Sequence, residues 1–156
     1  MDIFSRDFTF LESLEQSWEA ILAEYRALQS QQVSWPEPIH NGLWHVIGLK
    51  FQNRELPHKA FAPVTSKLCE AIPGITTYGF SIMKPGCEIT PHVGYTDAVL
   101  RGHLGLVTNP QSGISVAGQT RVWEPGKAFV FDDTMLHSAW NRGSQDRVIL
   151  LFDFMR

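Results

Sequence analysis

The chain has 156 residues, of which 44% are hydrophobic and 12% aromatic, and this size and composition are typical of one globular domain with a substantial core. A formal net charge of -3 without any run of basic residues argues against nucleic acid or an anionic membrane as a partner. Cys69 and Cys87 are too few for a disulfide framework and too far apart for a CxxC motif, so we expect a reduced, cytoplasmic location. No segment reaches the roughly 18 apolar residues of a membrane span, and the acidic start is unlike a signal peptide. We predict a single domain over residues 1–156.

Two helical patterns occupy the N-terminal part of the sequence. Thr9 and Glu12 have the spacing of a capping box, and large apolar residues then recur at steps of three and four up to Leu28. This pattern predicts one amphipathic helix, and an apolar stripe of this kind usually packs against the protein's own sheet rather than a partner. Residues 63–72 predict a second, shorter helix, which Pro73 and Gly74 end.

The remainder of the chain has the two-residue period of β-strands. After an irregular loop at 31–42, we predict strands at residues 43–51, 77–83, 88–93, 99–107, 114–116, 120–123, 127–131, 138–141 and 147–154. Glycine, proline and asparagine separate most of them. About eight short strands after residue 76 favour an antiparallel sandwich, barrel or jelly roll at approximately 76–154, with the helical portion, residues 1–72, on its outside.

Histidines and arginines interrupt these strands at five positions. Along residues 99–107 the alternation places Arg101 and His103 on one face, opposite three leucines. A solvated face would explain this strand equally well, and a single histidine is more often a structural group than a ligand. The combination is more informative, because His92, His137 and Arg147 recur on other strand-like segments. These five residues are the candidate active site.

Arg147 begins a strongly apolar strand, where an unpaired cation would be costly. A bound carboxylate would compensate its charge. The alternative is an internal ion pair with Asp132, Asp133 or Asp153, and the sequence alone leaves both possibilities open.

Metal binding is a second open question in the same segments. The usual iron triad has a carboxylate two residues after its first histidine, whereas Gly94 occupies that position after His92. Catalytic zinc generally has three protein ligands, and the candidates for a third ligand would be Asp97, Asp132 or Asp133. Asp132 and Asp133 would also suit a turn or the orientation of His137.

Four separated motifs carry a family resemblance. FSIMKPGCEITPHVG, LRGHLGL, the W-x-x-G-K-x-x-x-FDDTMLHSAWN segment and DRVILLFDF resemble the aspartyl/asparaginyl β-hydroxylase family of iron(II)- and 2-oxoglutarate-dependent oxygenases, over residues 44–153. The resemblance implies a double-stranded β-helix (jelly roll, cupin-like) that binds Fe(II) through only two histidines. The matching residues are His92 and His137, and Gly94 matches the family's glycine at the place of the missing carboxylate.

The resemblance also implies a binding site for the cosubstrate. By residue-by-residue correspondence, Arg147 and Ser81 would bind the distal carboxylate of 2-oxoglutarate, and His103 would meet the end that chelates iron. Arg101 would lie between the cosubstrate and a substrate carboxylate, and Trp44 would lie at the edge of the pocket. The guanidinium and hydroxyl groups are donors suited to carboxylates.

The implied reaction consumes O2 and hydroxylates a C–H bond, with release of succinate and CO2. We expect the substrate to be an amino acid, an aspartyl/asparaginyl-type residue, a short peptide or a related carboxylate-bearing small molecule. Lys84, His45 and the loop at residues 95–99 have no assigned role, and the sequence does not predict the oligomeric state. Two alternatives stay open, namely a halogenase that places chloride beside Gly94 and a non-catalytic jelly-roll binding module.

Overall fold

A computed structural model describes residues 2–156, which form three α-helices and eleven β-strands. The helices are α1 (Leu11–Gln16), α2 (Trp18–Leu28) and α3 (Pro63–Glu70). The strands are β1 (Val33–Ser34), β2 (Trp44–Phe51), β3 (Arg54–Glu55), β4 (Ile75–Met83), β5 (Glu88–His92), β6 (Val99–Val107), β7 (Ser112–Val116), β8 (Gln119–Arg121), β9 (Ala128–Phe131), β10 (His137–Asn141) and β11 (Arg147–Met155). Short 3-10 helices cover Gln29–Gln31 and Pro57–Phe61.

The strands form two antiparallel sheets. The major sheet has seven strands in the order β1-β2-β4-β11-β6-β9, with β3 paired to β2, and the minor sheet has four in the order β5-β10-β7-β8. The long strands β4, β6 and β11 pair in the centre of the major sheet. Two facing antiparallel sheets with such crossovers constitute a jelly roll. The predicted fold class is therefore confirmed.

The outer face of the major sheet packs against the N-terminal helices. Alternation along β4 directs Tyr78, Phe80 and Ile82 into this layer, where they contact helix residues such as Ile21 and Tyr25. The leucines of β6 lie in the same layer, as their spacing predicted. The apolar stripe of the N-terminal region thus stabilises the domain's own core.

The inner face of the major sheet packs against the minor sheet. Ile149 and Leu151 of β11 lie in one apolar cluster with Ile114 of β7 and Ala139 of β10. The predicted polar face of β6, with Arg101 and His103, belongs to this buried interior and not to a solvated surface. The fold therefore carries the polar residues of the central strands into the space between two sheets.

The single N-terminal helix of the sequence prediction is wrong, because two helices meet at Ser17. The capping box is also wrong, since Phe10 is the N-cap residue and makes no side-chain capping bond. Glu15 instead accepts a 2.8 Å hydrogen bond from the amide of Ala128 in β9. The break lets α1 reach β9 while α2 runs against β6.

Candidate active site

Two histidines face each other across the first strand pair of the minor sheet. His92 ends β5 and His137 begins β10, and the strand register aligns them with ring centroids 4.2 Å apart. The Nδ1 atoms lie 2.7 Å from the carbonyl oxygen of Thr90 and 2.8 Å from that of Met135, respectively. Because a carbonyl only accepts hydrogen bonds, each neutral ring carries its proton on Nδ1. Both Nε2 lone pairs are then available to a metal ion.

The environment of His137 favours its metal-binding form. Burial lowers the pKa of the His137 imidazole to about 4, although the bond to Met135 opposes that shift. The ring is therefore neutral at physiological pH, as a metal ligand must be. Within residues 2–156, no group of three or more His, Cys, Asp or Glu side chains is arranged to hold a metal. These two imidazoles are the available donor pair.

Asp133 fills the space beside Gly94, the position at which the usual iron triad has a carboxylate ligand. The Gly94 amide donates a 2.6 Å hydrogen bond to the Asp133 carbonyl oxygen. A Cβ atom added at Gly94 would lie 2.3 Å from Oδ2 of Asp133, which is too close for any side chain. Position 94 must therefore be glycine as long as the carboxylate of Asp133 packs against it.

The two neighbouring aspartates have different environments. Asp132 accepts hydrogen bonds from Arg156 and from Thr134, and these bonds lower its pKa to about 2. Asp133 is 1% exposed, and neither carboxylate oxygen has a hydrogen-bond partner in the described part of the chain. Burial raises the pKa of Asp133, although Arg101, 3.9 Å away, opposes this effect.

Arg147 is a buried cation without a carboxylate partner among residues 2–156. Its Nη2 donates to the Ser81 carbonyl at 3.2 Å and to Ser81 Oγ at 2.9 Å, while its Nε has no partner there. The internal ion pair considered for it is wrong, because Asp153 pairs with Arg101 instead. Burial lowers the pKa of Arg147 to about 9, so the isolated charge is costly. Such a group is suited to bind an anion.

Ser81 completes the donor set around this guanidinium. Its Oγ accepts a hydrogen bond from Arg147 and another of 2.9 Å from the indole nitrogen of Trp44. A hydroxyl has two acceptor lone pairs and one proton, so the proton of Ser81 remains free to donate. Trp44 is itself held by a parallel stack on Trp35, with centroids 4.0 Å apart. Ser81 and Arg147 therefore form a preorganised pair of hydrogen-bond donors that is suited to a carboxylate.

His103 lines the same pocket as these donors and the histidine pair. It is 5% exposed, and its Nδ1 accepts a 3.1 Å hydrogen bond from the indole nitrogen of Trp123. Burial lowers the pKa of His103 well below its ordinary value, and the nearby Arg147 and Arg101 lower it further. The imidazole is therefore neutral at physiological pH.

Arg101 lies in the same pocket but has an internal partner. Its Nε and Nη2 donate to the two carboxylate oxygens of Asp153 at 2.8 and 3.0 Å, a bidentate pair across β6 and β11. The pair raises the pKa of Arg101 despite its burial. Because Asp153 already compensates the charge, Arg101 is a weaker carboxylate anchor than the unpaired Arg147.

One pocket brings all of the sequence-predicted site residues together. It is lined by Trp44, Ser81, His92, Arg101, His103, His137 and Arg147, together with apolar residues of both sheets. Trp123 also lines the pocket. It was not predicted as a functional residue, although it is the tryptophan of the W-x-x-G-K motif. The roles of Asp133 and Asp153 depend on strand register, which residue types alone do not show.

Comparison with known sequences identifies the family. The sequence model of the aspartyl/asparaginyl beta-hydroxylase family matches residues 15–156. The chain belongs to this family of hydroxylases.

The chain has relatives that are longer proteins and that carry different names. The chain is 42% identical over 97 residues to the ornithine lipid ester-linked acyl 2-hydroxylase of Rhizobium tropici, a match that covers 60% of this chain and 34% of that protein. It is 35% identical over 156 residues to human aspartyl/asparaginyl beta-hydroxylase, covering 92% of this chain and 20% of the human protein. It is also 31% identical to mouse aspartate beta-hydroxylase domain-containing protein 2, covering 96% and 49%. The chain thus spans between a fifth and a half of these relatives.

Solved structures share the fold at low sequence identity. A predicted oxalate decarboxylase from Thermotoga maritima superimposes with a TM-score of 0.53 at 14% identity, covering 80% of this chain and 90% of that one. The Cupin_2 domain of an XRE-family transcriptional regulator from Enterobacter cloacae gives 0.50 at 12% identity, covering 73% and 98%. These similarities establish the cupin-like fold alone. In residues 2–156, no helix has the length and hydrophobicity required to span a bilayer.

Proposed function

We propose that the chain is an Fe(II)- and 2-oxoglutarate-dependent dioxygenase that hydroxylates a C–H bond. The observation that carries this proposal is the buried guanidinium of Arg147, which has no carboxylate partner within residues 2–156. It lies in one pocket with two imidazoles whose Nε2 atoms bind no other group in that part of the chain. His92 and His137 would hold the iron, and their neutral nitrogen donors suit Fe(II). Arg147 and Ser81 would bind the distal carboxylate of 2-oxoglutarate, and Trp44 would hold Ser81 in position.

The bound iron and 2-oxoglutarate would supply the oxidation, whereas the side chains of the protein would bind and orient the reactants. Bound iron with 2-oxoglutarate and O2 would supply the oxidation that yields succinate, CO2 and a hydroxylated product. The side chains of the chain bind and orient the reactants and exclude water from the pocket. His103 would contact the end of 2-oxoglutarate nearer the histidine pair, since it lines the same pocket and is close to both Arg147 and His137.

A carboxylate-bearing amino acid, aspartyl/asparaginyl-type residue or peptide is the first candidate substrate class, because the family matches over most of the chain. Arg101 is the proposed contact for that carboxylate. Its bidentate pair with Asp153 leaves Nη1 without a hydrogen-bond partner within residues 2–156, so a single contact to a substrate carboxylate is the available geometry.

A substrate with an apolar chain is the second candidate. The segments beside His92 and His137 expose Val93 by 58%, Tyr95 by 51%, Met135 by 40% and Leu136 by 59%. The segments adjoin each other through the Gly94–Asp133 backbone bond. Exposed apolar side chains beside the two histidines suit a hydrocarbon chain better than a charged peptide. The Rhizobium relative is named for hydroxylation of an acyl group.

Halogenation is disfavoured by the surroundings of Gly94. Chloride would need the space beside this glycine, which the carboxylate of Asp133 already occupies. Two anions in contact repel each other in a buried site. A non-catalytic binding module has less support, because the family consists of hydroxylases.

Anaerobic titration with Fe(II) and 2-oxoglutarate tests the proposal directly. We expect a metal-to-ligand charge-transfer band and, with O2, succinate release that increases with a substrate from either candidate class. The panel should contain amino acids, aspartyl and asparaginyl peptides, and acyl amides, with product mass recorded with and without chloride. His137→Ala should abolish the band, whereas His58→Ala, on the Pro57–Phe61 helix away from the pocket, should retain it. A wild-type protein with neither band nor succinate would contradict the proposal.

A further inference from the structure

We propose that Trp123 is a positioning residue that fixes the tautomer of His103 and supports Arg147, so that both groups present donors to the carboxylates of the cosubstrate. The proposal rests on the proposed function for the identity of the ligand. Its structural part, the tautomer of a buried imidazole, is independent of it.

The hydrogen bond between the two rings determines where the proton lies. The indole nitrogen of Trp123 lies 3.1 Å from Nδ1 of His103, and the two side chains are 3% and 5% exposed. An indole N–H donates and never accepts, so Nδ1 must be the unprotonated nitrogen. A neutral imidazole has one proton, which then lies on Nε2. His103 is therefore a hydrogen-bond donor at Nε2.

The charges around His103 exclude the doubly protonated ring. Arg147 and Arg101 are both cationic neighbours, and burial removes the water that would stabilise a third positive charge. His103 also packs edge-on against Phe131, with centroids 5.0 Å apart, and this apolar contact adds no acceptor. The single bond from Trp123 therefore selects between the two neutral tautomers.

The same indole supports the guanidinium of Arg147. The Cζ atom of Arg147 lies 4.5 Å from the centroid of the Trp123 ring, in cation-π contact. The π face of an indole attracts the guanidinium but accepts none of its N–H hydrogen bonds, whereas a carboxylate would occupy them. Trp123 thus holds the cation in place without competing for the hydrogen bonds that a ligand would accept.

A backbone contact explains how Trp123 reaches this place. It follows β8, and the next residue, Glu124, packs its backbone on Gly105 of β6. A Cβ atom at Gly105 would lie 2.2 Å from the Glu124 carbonyl oxygen, so only glycine allows the approach. The Gly126 amide donates a 2.9 Å bond to the Gly105 carbonyl oxygen and fastens the segment to the strand. Gly105 lies two residues from His103, so the LRGHLGL and W-x-x-G-K motifs form one unit.

The tautomer of His103 matters because the oxygens of a carboxylate only accept hydrogen bonds. With the proton on Nε2, His103 can donate to a 2-oxo acid, and with the proton on Nδ1 it would face the ligand with a lone pair. Lone-pair repulsion and an unmade hydrogen bond would then weaken binding. Trp123→Phe removes the indole N–H while retaining an aromatic face near Arg147, so it isolates the tautomer effect.

The test is nitrogen-15 NMR of histidine-labelled, metal-free protein, with the His103 signals assigned by their loss in His103→Gln. We expect the wild type to show His103 with an unprotonated Nδ1 and a protonated Nε2. In Trp123→Phe both nitrogens should shift towards a mixture of tautomers. Trp140→Phe is the matched control, since Trp140 packs on Arg142 at the surface and should leave His103 unchanged. A protonated Nδ1 in the wild type, or unchanged signals in Trp123→Phe, would overturn the proposal.

A binding measurement separates this proposal from the proposed function. With Mn(II) in place of iron, Trp123→Phe should weaken 2-oxoglutarate binding by about two- to tenfold, the effect of one hydrogen bond, at an unchanged circular dichroism spectrum. An unchanged affinity of Trp123→Phe for 2-oxoglutarate would show that His103 does not position this ligand. If the wild type bound no 2-oxoglutarate while His103 had the expected tautomer, the function would fail and the assignment of the proton would stand.

Discussion

Arg101 and Arg147 are both buried, yet their electrostatic situations are opposite. Asp153 binds Arg101 through both of its oxygens, whereas Arg147 has a serine, an aromatic face and an unsatisfied Nε. Asp153 offsets the cost of burying the charge of Arg101, whereas the charge of Arg147 is buried without such an offset and costs stability. On the proposed function, Arg147 gives up stability of the fold in favour of binding the carboxylate of 2-oxoglutarate.

Methionine substitutions should distinguish the two arginines. Arg101→Met leaves the carboxylate of Asp153 buried and alone, and should lower the free energy of unfolding by about 3 kcal/mol. Arg147→Met removes a charge that has no carboxylate partner in the described chain, so it should leave stability unchanged or raise it. The same change should weaken 2-oxoglutarate binding more than tenfold, because it removes charged hydrogen bonds. Denaturant unfolding and ligand titration measure both effects, and a large loss of stability in Arg147→Met would assign it a structural role.

Gly94→Asp should not restore a three-ligand iron site. The new side chain would collide with Asp133, because even a Cβ atom lies 2.3 Å from Oδ2. We expect Gly94→Ala alone to lower the free energy of unfolding by about 1–3 kcal/mol through overpacking. Asp133→Ala in the same chain should recover most of that loss, which a double-mutant cycle would measure. Additive effects of the two changes would mean that the side chains do not compete for the same space.

At the scale of elements, the first helix shows how a distant contact overrides a local signal. Glu15 bonds to the amide of Ala128 and to Arg6, and both interactions connect α1 to the chain around β9. The predicted capping box forms no side-chain bond. The position of α1 is thus determined by the carboxylate of Glu15, whose partner Ala128 lies 113 residues further along the chain in β9.

Glutamine substitutions should show whether the contacts of Glu15 or the predicted capping box at Glu12 stabilise the start of the chain. Glu15→Gln should lower the free energy of unfolding by about 1–2 kcal/mol, because it weakens charged hydrogen bonds to a partly buried amide. Glu12→Gln should change it by less than about 0.5 kcal/mol, as expected for an exposed residue without a capping role. Thermal or denaturant unfolding of the two variants provides the comparison. Equal losses in the free energy of unfolding of the two variants would indicate that Glu12 has a capping role after all.

The long strands were predictable because their alternation is unambiguous. The faces assigned to β4, β6 and β11 match the two apolar layers, and Ser81, Arg101, His103 and Arg147 reach the pocket accordingly. The two-residue strands β1 and β3 were not predicted, since two residues carry no period. The partners of the arginines were not predictable either. They depend on the register of β11 against β6, which aligns Arg101 with Asp153.

For the whole molecule, the buried histidines predict that the metal-free protein loses stability in mild acid. The folded pKa of His137 is about 4 and the ordinary value is 6.5, so the unfolded chain binds more protons between these limits. Stability therefore falls as pH decreases through this window. His137 alone should cost about 2 kcal/mol between pH 7 and pH 5, and the lowered pKa of His103 acts in the same direction.

Denaturant unfolding at pH 7 and pH 5 measures this loss. The raised pKa of Asp133 acts in the opposite direction, because its folded form takes up a proton first as pH falls. His137→Asn should reduce the slope of stability against pH, because it removes the buried imidazole whose pKa is lowered. A metal that binds the two imidazoles should stabilise the protein at pH 7 and lose this effect in acid, as the ligands become protonated. A pH-independent stability would contradict the burial of neutral histidines.

The two sheets each carry one half of the site. His92 and His137 belong to the minor sheet, whereas Ser81, His103 and Arg147 belong to the major sheet. A ligand that contacts both groups would cross-link the sheets and favour one separation between them. Metal and 2-oxoglutarate would then each increase the other's affinity, and by thermodynamic reciprocity the two factors must be equal. The jelly roll would thus act as the coupling element between its own two ligands.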